Sequence, residues 1–257
     1  MKNILKGYSI LVYLFLFTPI FVVVYMSFNA GRHNVFPISE YSLIWYETLF
    51  SNTAIWRNFQ VSLMIALAST TLTLVISTLA AYCICRYRFR GKSAFISLML
   101  APMLIPAVIT GISMLIYYNF LSVPSSIYTV IIGHTVLCIP YATLIITARL
   151  QGFDIRLEEA ARGLGATERV VFFKIVMPLL MPGFVGGGLF AFTISMDEFA
   201  LTFFLNSHDS QTLPIRIWSM LRFGITPELN ALSTIILLVS LVLITLASIT
   251  QGRKNNK

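Results

Sequence analysis

The sequence predicts an all-α membrane protein of six transmembrane helices with one long cytoplasmic loop, and three observations carry that prediction. First, 57% of the 257 residues are hydrophobic and 11% are charged, with a mean hydropathy of +0.83. A soluble domain carries about 25% charged residues, so this chain lacks the polar surface to sit in water. Second, five runs free of Asp, Glu, Lys and Arg are each long enough to cross a bilayer. Third, the basic residues gather on alternate connections. An ordinary soluble enzyme, a disordered tail and a secreted disulfide scaffold are excluded. Cys83, Cys85 and Cys138 lie inside apolar runs without a C-x-x-C pattern and read as small buried hydrophobes.

The charge-free runs are residues 7–31, 58–85, 93–148, 175–196 and 229–252. A spanning helix needs about 20 apolar residues, so four runs hold one helix each. The 56-residue run holds two, divided by the turn sequence Val123-Pro124-Ser125-Ser126. The spans are placed at about 7–31, 58–85, 94–121, 126–148, 178–205 and 229–250, within a single transmembrane domain covering 1–257. The first has too long an apolar core, and no small-residue cleavage site, for a signal peptide.

Orientation follows from the cations. With the N-terminus inside, fourteen of the eighteen basic residues lie on inner segments, and Arg32, Arg57, Arg216 and Arg222 lie outside. That is the positive-inside bias. The net charge of +8 is therefore topological, both termini are expected in the cytoplasm, and no nucleic-acid partner is needed to explain it.

Three connections are long. Residues 29–57 are external and carry Tyr41, Trp45, Tyr46 and Trp56, which suits the outer headgroup layer. Residues 197–228 are also external, with an apolar first third. The internal loop, residues 149–174, has mixed charge and is too polar to insert; a loop of that length is usually functional. Ile155 to Arg162 has a helical pattern that Asp154 is placed to cap. Gly163 and Gly165 stop it, Gly165 in the natural left-handed position. Residues 166–174 start a second short helix, and Pro178 ends the segment. The loop reads either as a helix–glycine–helix knob for a partner's groove or as a solvated connector.

Glu159-Ala160-Ala161, then Gly165, then Ile175 and Pro178 resemble the EAA motif of bacterial ABC-importer permeases, E-A-A-x3-G-x9-I-x-L-P. Met177 stands where the pattern has leucine, a volume-conserving exchange. The resemblance implies a type I ABC importer permease whose loop, at about 149–177, forms the coupling helix that docks into the ATP-hydrolysing subunit. Glu159, Ala160, Ala161, Gly165, Ile175 and Pro178 are then its coupling residues. The chain itself is expected to be non-catalytic and to bind no cofactor, ATP being held by the partner; no G-x-x-x-x-G-K-[ST] occurs in it.

The segments Arg86-Tyr87-Arg88-Phe89-Arg90-Gly91-Lys92, Arg149-Leu150-Gln151-Gly152-Phe153-Asp154, Ser195-Met196-Asp197-Glu198 and Pro227-Glu228-Leu229-Asn230-Ala231 resemble the spermidine/putrescine permeases within that family. This resemblance implies a small cationic solute crossing the bacterial inner membrane. It also implies a second permease, two ATPase copies and an external substrate-binding protein as partners, besides membrane lipid. A permease for another small solute is the alternative. A secondary transporter fits less well, since no pair of interrupted helices in repeated halves is evident, and an intramembrane enzyme would need a reactive cluster that does not appear.

Asp197 and Glu198 are the candidate substrate contacts. Counted from residue 179 at the inner face, Asp197 lies about 27 Å along a helix, near the outer edge of a hydrocarbon core about 30 Å thick. Acidic groups at that depth usually face a cavity or a partner charge. A polycation would be drawn to them, with Phe199, Phe203 or Trp218 adding cation–π contacts; pairing with Arg216 or Arg222 is the competing reading. His134, alone in an apolar helix, is expected to be packed and hydrogen-bonded rather than a metal ligand. Pro102, Pro106 and Pro140 are expected to kink their helices.

Overall fold

The computed structural model describes the backbone of residues 2–222 and 224–255 and the side chains of 5–207, 209–222 and 224–241. Among the described residues the regular secondary structure is helical. The chain divides into two compact units, Met1–Trp56 with Arg216–Lys257, and Arg57–Ile215.

The first unit contains α1 (Lys2–Met26), α2 (Ile44–Ser51) and α12 (Pro227–Asn255). Residues 5–22 of α1 are almost all apolar and exposed, as a helix facing lipid requires. The stretch after it, expected to be external, is more than an interfacial ribbon. Ala30 N–H donates to Glu40 O at 3.0 Å and Ser42 N–H to Phe28 O at 2.8 Å, closing a loop. Trp45 Nε1 donates to Asn29 O at 2.9 Å, and the Ser27 and Tyr46 hydroxyls meet at 2.6 Å, so α2 is pinned to the end of α1. Asn34 ties this loop to α12, donating to Ile225 O and accepting from Asn230 Nδ2, each at 3.0 Å.

The second unit takes most of α3 (Thr53–Arg86), then α4 (Lys92–Leu100), α5 (Ala107–Phe120), α6 (Ile127–Gln151), α7 (Arg156–Gly163), α8 (Glu168–Val171), α9 (Met177–Asp197) and α10 (Ala200–Leu205), and α11 (Leu213–Leu221) begins in it. A capping box at Ser126 starts α6, where the Ser126 and Thr129 side chains each bond the other's backbone. Helices α3 and α6 run parallel with a constant offset of 62 residues. Thr73 Oγ1 donates to Thr135 O at 3.5 Å, Ser77 Oγ to Ile139 O at 3.2 Å and Cys85 Sγ to Thr147 O at 3.9 Å. Small polar side chains of this kind join helices where apolar burial supplies no driving force. Helix α9 packs on α6 through small residues, Gly187 facing Ala142.

Two buried clusters organise the unit. Near the end that holds α10, Ile65, Tyr118, Val130, Leu137, Leu201 and Leu205 pack together. Near the end that holds α7 and α8, expected from the sequence to be the inner one, Ala81, Ile146, Leu150, Val171, Val176 and Leu180 do so. Helix α10 sits so close to α6 that a Cβ on Gly133 would lie 2.7 Å from Leu201 Cδ2.

Among the described residues four helices are long and apolar enough to cross a membrane: Leu5–Met26, Thr53–Arg86, Ile127–Gln151 and Glu168–Asp197. A further apolar pair, Lys92–Leu104 with Ala107–Phe120, is bent by 107° at its junction and makes a fifth only when counted as one span. The expected kink at Pro102 and Pro106 is thus a break. Ile105, just before Pro106, is extended at φ −99°, ψ 128°, because the proline ring disfavours the α region for its predecessor. Pro140, in contrast, sits inside an uninterrupted α6. The sixth expected span lies in α12, whose described apolar part is Pro227–Leu241; the side chains of residues 242–250 lie outside the described residues.

Two boundaries differ from those read from the sequence. The segment before the fifth span does not end at Pro178. Helix α8 passes through a π turn, Phe172–Val176, straight into α9, and Pro178 occupies the first turn of α9, where a missing N–H is tolerated. At the other end the span stops at Asp197 instead of running on to residue 205. Glu198 is extended at φ −69°, ψ 110°, and α10 is a separate short helix.

Candidate coupling loop and solute path

The loop between α6 and α9 is built by local chemistry. Asp154 Oδ1 accepts from Arg156 N at 3.0 Å and opens α7. Gly165 closes it at φ +85°, while Gly165 N–H donates to Arg162 O at 2.9 Å and Ala166 N–H to Ala161 O at 3.0 Å. These are the bonds of a left-handed helix stop.

Helical geometry then sorts the motif residues. Ala161 and Ala166 pack against the inner buried cluster. Glu159, Ala160 and Gly165 are exposed, Ile175 is half-buried and Pro178 is exposed. Around the outward face stand apolar side chains, Ile155, Leu157 and, 91% exposed, Leu164. The loop thus holds one face on the spans and leaves a small apolar, acidic face exposed, the geometry a docking knob needs.

The residue that seats this knob is one the motif does not single out. Glu158 is buried, with Oε1 2.7 Å from Arg86 Nε and Oε2 3.5 Å from an Arg162 terminal nitrogen. Arg162 reaches on to Glu168 at 2.7 Å and 3.1 Å. That hydrogen-bonded guanidinium holds the Glu168 carboxyl below its ordinary range, and Glu168 in turn raises Arg162. The Glu158–Arg162 spacing of four is a visible helix-pair signal, but nothing in the sequence links position 86 to either.

At the other end of α9, Asp197, Glu198 and Phe199 form the link to α10. Asp197 is exposed on the last turn. Glu198 is half-buried, and its Oε1 accepts from Leu201 N at 2.8 Å, so the carboxylate caps α10. The Phe199 ring lies 5.6 Å from that of Phe203, which is exposed. Trp218 belongs to α11 and to the first unit.

A buried polar cluster spans the break. His134 Nδ1 meets Ser195 Oγ at 2.7 Å, and its Nε2 meets Thr202 Oγ1 at 2.7 Å. Ser195 also meets Ser69 Oγ of α3 at 3.0 Å, and Thr202 Oγ1 donates to Glu198 O at 3.0 Å. His134 is therefore packed and hydrogen-bonded, as its sequence setting suggested. No group of three or more metal-ligating side chains occurs among the described residues. Ser69 and Thr202 carried no sequence signal beyond being small polar residues in apolar runs, and Ser195 stood out only as the first residue of the Ser195-Met196-Asp197-Glu198 resemblance.

Comparison with known proteins matches this architecture. The family of binding-protein-dependent transport system inner membrane components matches residues 73–255. The spermidine/putrescine transport system permease protein PotC of Haemophilus influenzae is 36% identical over 98% of this chain and 97% of its own length. The PotC protein of Escherichia coli K12 is 34% identical over 93% and 90%. The putrescine transport system permease protein PotI of the same strain is 36% identical over 87% and 82%.

Among solved structures, a chain of a bacterial ABC transporter involved in the import of the acidic polysaccharide alginate superposes with a TM-score of 0.75 at 16% identity, over 98% of this chain and 95% of that one. A chain of an amino acid ABC transporter with histidines gives a TM-score of 0.62 at 14% identity over 81% and 98%. At such identities these two show the fold. With all-helical units, several apolar crossings and relatives matched over nearly their whole length, the chain belongs to the family of binding-protein-dependent transport system inner membrane components and is a multi-pass ABC-importer permease.

Proposed function

We propose that this permease carries a polyamine of the spermidine/putrescine class inward across the bacterial inner membrane. The observation that carries the reading is 36% identity to a spermidine/putrescine permease over 98% of the chain. The adjacent carboxylates of Asp197 and Glu198 at the outer end of α9 support it, because paired anions at the rim of a span attract a polycation. Phe199 and Trp218 are the aromatic candidates for cation–π contact.

In this reading the chain works with a second permease, two copies of an ABC ATPase and an external substrate-binding protein. ATP belongs to the ATPase subunits, and the permease holds no cofactor. Both termini and the loop around α7 face the cytoplasm, where Glu159, Ala160, Ala161, Gly165, Ile175 and Pro178 form or support the ATPase-docking knob.

The test is ATP-driven uptake of a panel of labelled amines by the reconstituted complex. Uptake of spermidine or putrescine above that of neutral solutes of similar size is expected. A complex that moves a neutral solute and leaves polyamines outside would replace this reading with a permease for another small solute.

A further inference from the structure

Four charged side chains form a continuous line at the cytoplasmic end of the second unit: Arg86, Glu158, Arg162 and Glu168. Its two ends differ in kind. Glu168 is 63% exposed and Arg162 34%, whereas Glu158 is 4% and Arg86 9% exposed. The wet end adds little to stability. The dry end has a different physics, because a buried ion pair gains little over a well-packed apolar pair yet is expensive to break once built.

What the dry pair supplies is direction. Arg86 is the last residue of α3, and its guanidinium also donates to Leu150 O, in the last turn of α6, at 3.5 Å. One planar fork therefore ties the inner ends of two spans to the buried side of α7. Apolar packing alone would let α7 rotate or slide over the inner cluster. A short charge-assisted bond at 2.7 Å resists both, since charged hydrogen bonds are stronger and more directional than contact.

We propose that Arg86 and Glu158 are positioning residues for transport, a strut that holds α7 rigid against the ends of α3 and α6. A displacement of α7 by its docked partner then reaches the spans instead of being absorbed within the loop. This rests on the reading of α7 as the ATPase-docking element.

The experiment uses the reconstituted complex of this chain with its partner permease, ATPase and binding protein, and reads solute moved per ATP hydrolysed. Glu158→Gln keeps shape and removes the charge. The expected result is normal co-purification of the ATPase, continued hydrolysis, and about a tenfold fall in solute per ATP, within the range of ordinary coupling energies. Partial recovery of the ratio is expected in the charge-swapped Arg86→Glu/Glu158→Arg double variant.

A pair that only fastens the fold would lower the yield of complex and leave the ratio per assembled complex unchanged, and that outcome overturns the proposal. Should Glu158→Gln not assemble, Arg86→Lys serves instead. It keeps the charge but loses the fork that reaches Glu158 and Leu150 together, and a wild-type ratio there also overturns the proposal. Ala160→Arg, on the exposed face of α7, tests docking separately. Normal ATPase co-purification and uptake in that variant would remove the docking reading itself, whatever Glu158→Gln does.

Discussion

Nε2 of His134 and Oγ1 of Thr202 stand 2.7 Å apart on one side of the break that ends α9, while Nδ1 of the same ring bonds Ser195 on the other side. The imidazole bridges the interruption. His134→Phe keeps an aromatic ring of similar shape but removes one bond from each of two buried hydroxyls, which retain Ser69 and Glu198 O as partners; each lost bond costs about 0.5–1.5 kcal/mol. The purified complex should therefore unfold at lower temperature, with the loss shared by His134→Phe and Thr202→Val and not additive in the double variant. Strict additivity would mean that the bridge carries no joint role.

Gly165 has φ +85° with open space around it. The strain of substitution comes from the backbone alone, so Gly165→Asn should be tolerated and Gly165→Val should not. The valine variant should lose about 1–2 kcal/mol in the loop and retain less ATPase on co-purification. Equal ATPase recovery from the valine and asparagine variants would contradict the turn's role.

Glu198 does two jobs at once, if it also serves the solute: its Oε1 caps α10. Glu198→Gln keeps a capping oxygen and removes the charge, and Asp197→Asn removes the exposed charge. Both should reduce polyamine uptake with little loss of complex, more for a longer polyamine and less at high ionic strength. Glu198→Ala should in addition lower complex yield through the lost cap. Wild-type uptake per complex in the Asn/Gln double variant would remove both residues from the solute path.

The depressed Glu168 carboxyl gives the loop a small acid response, small because the Arg162–Glu168 pair is exposed. Its folded value lies below the ordinary 4.5 because Arg162 bonds the charged form. The contribution is fully present above 4.5 and is lost as the pH falls through the lower folded value. Amide exchange in α7 and α8 should accordingly be flat from neutral pH to about 5, after correction for intrinsic rates, and rise below it. Glu168→Gln should flatten that rise. The same acid profile in the variant would assign the response to another group.

Topology can be read at the exposed Ala160. In a background lacking Cys83, Cys85 and Cys138, Ala160→Cys should resist an impermeant reagent added outside spheroplasts and react once the membrane is opened. Labelling from outside would reverse the assigned orientation and remove the docking reading with it.

The helices and the loop were legible because their determinants are local. Asp154, Gly163 and Gly165 announce the ends of α7 by residue type alone, and the apolar runs announce the spans. The stop at Asp197 was not legible. Residues 199–205 are as apolar as a continuing helix, and what folds α10 back onto α6 is contact from distant elements, Gly133 beneath Leu201 and the His134 cluster. Proline was an uneven guide: Pro106 breaks a helix and Pro140 does not, a difference set by the surroundings of each ring. Glu158 was hidden beside Glu159 because its partner, Arg86, is 72 residues away.

The ladder between α3 and α6 has a mechanical consequence. Thr73, Ser77 and Cys85 each reach a carbonyl exactly 62 positions ahead, so any sliding of one helix along the other breaks every rung together. Within a bilayer the freed groups find no water to bond. The two helices therefore travel as one stiff rod, and the elbow before Pro106 lies outside it.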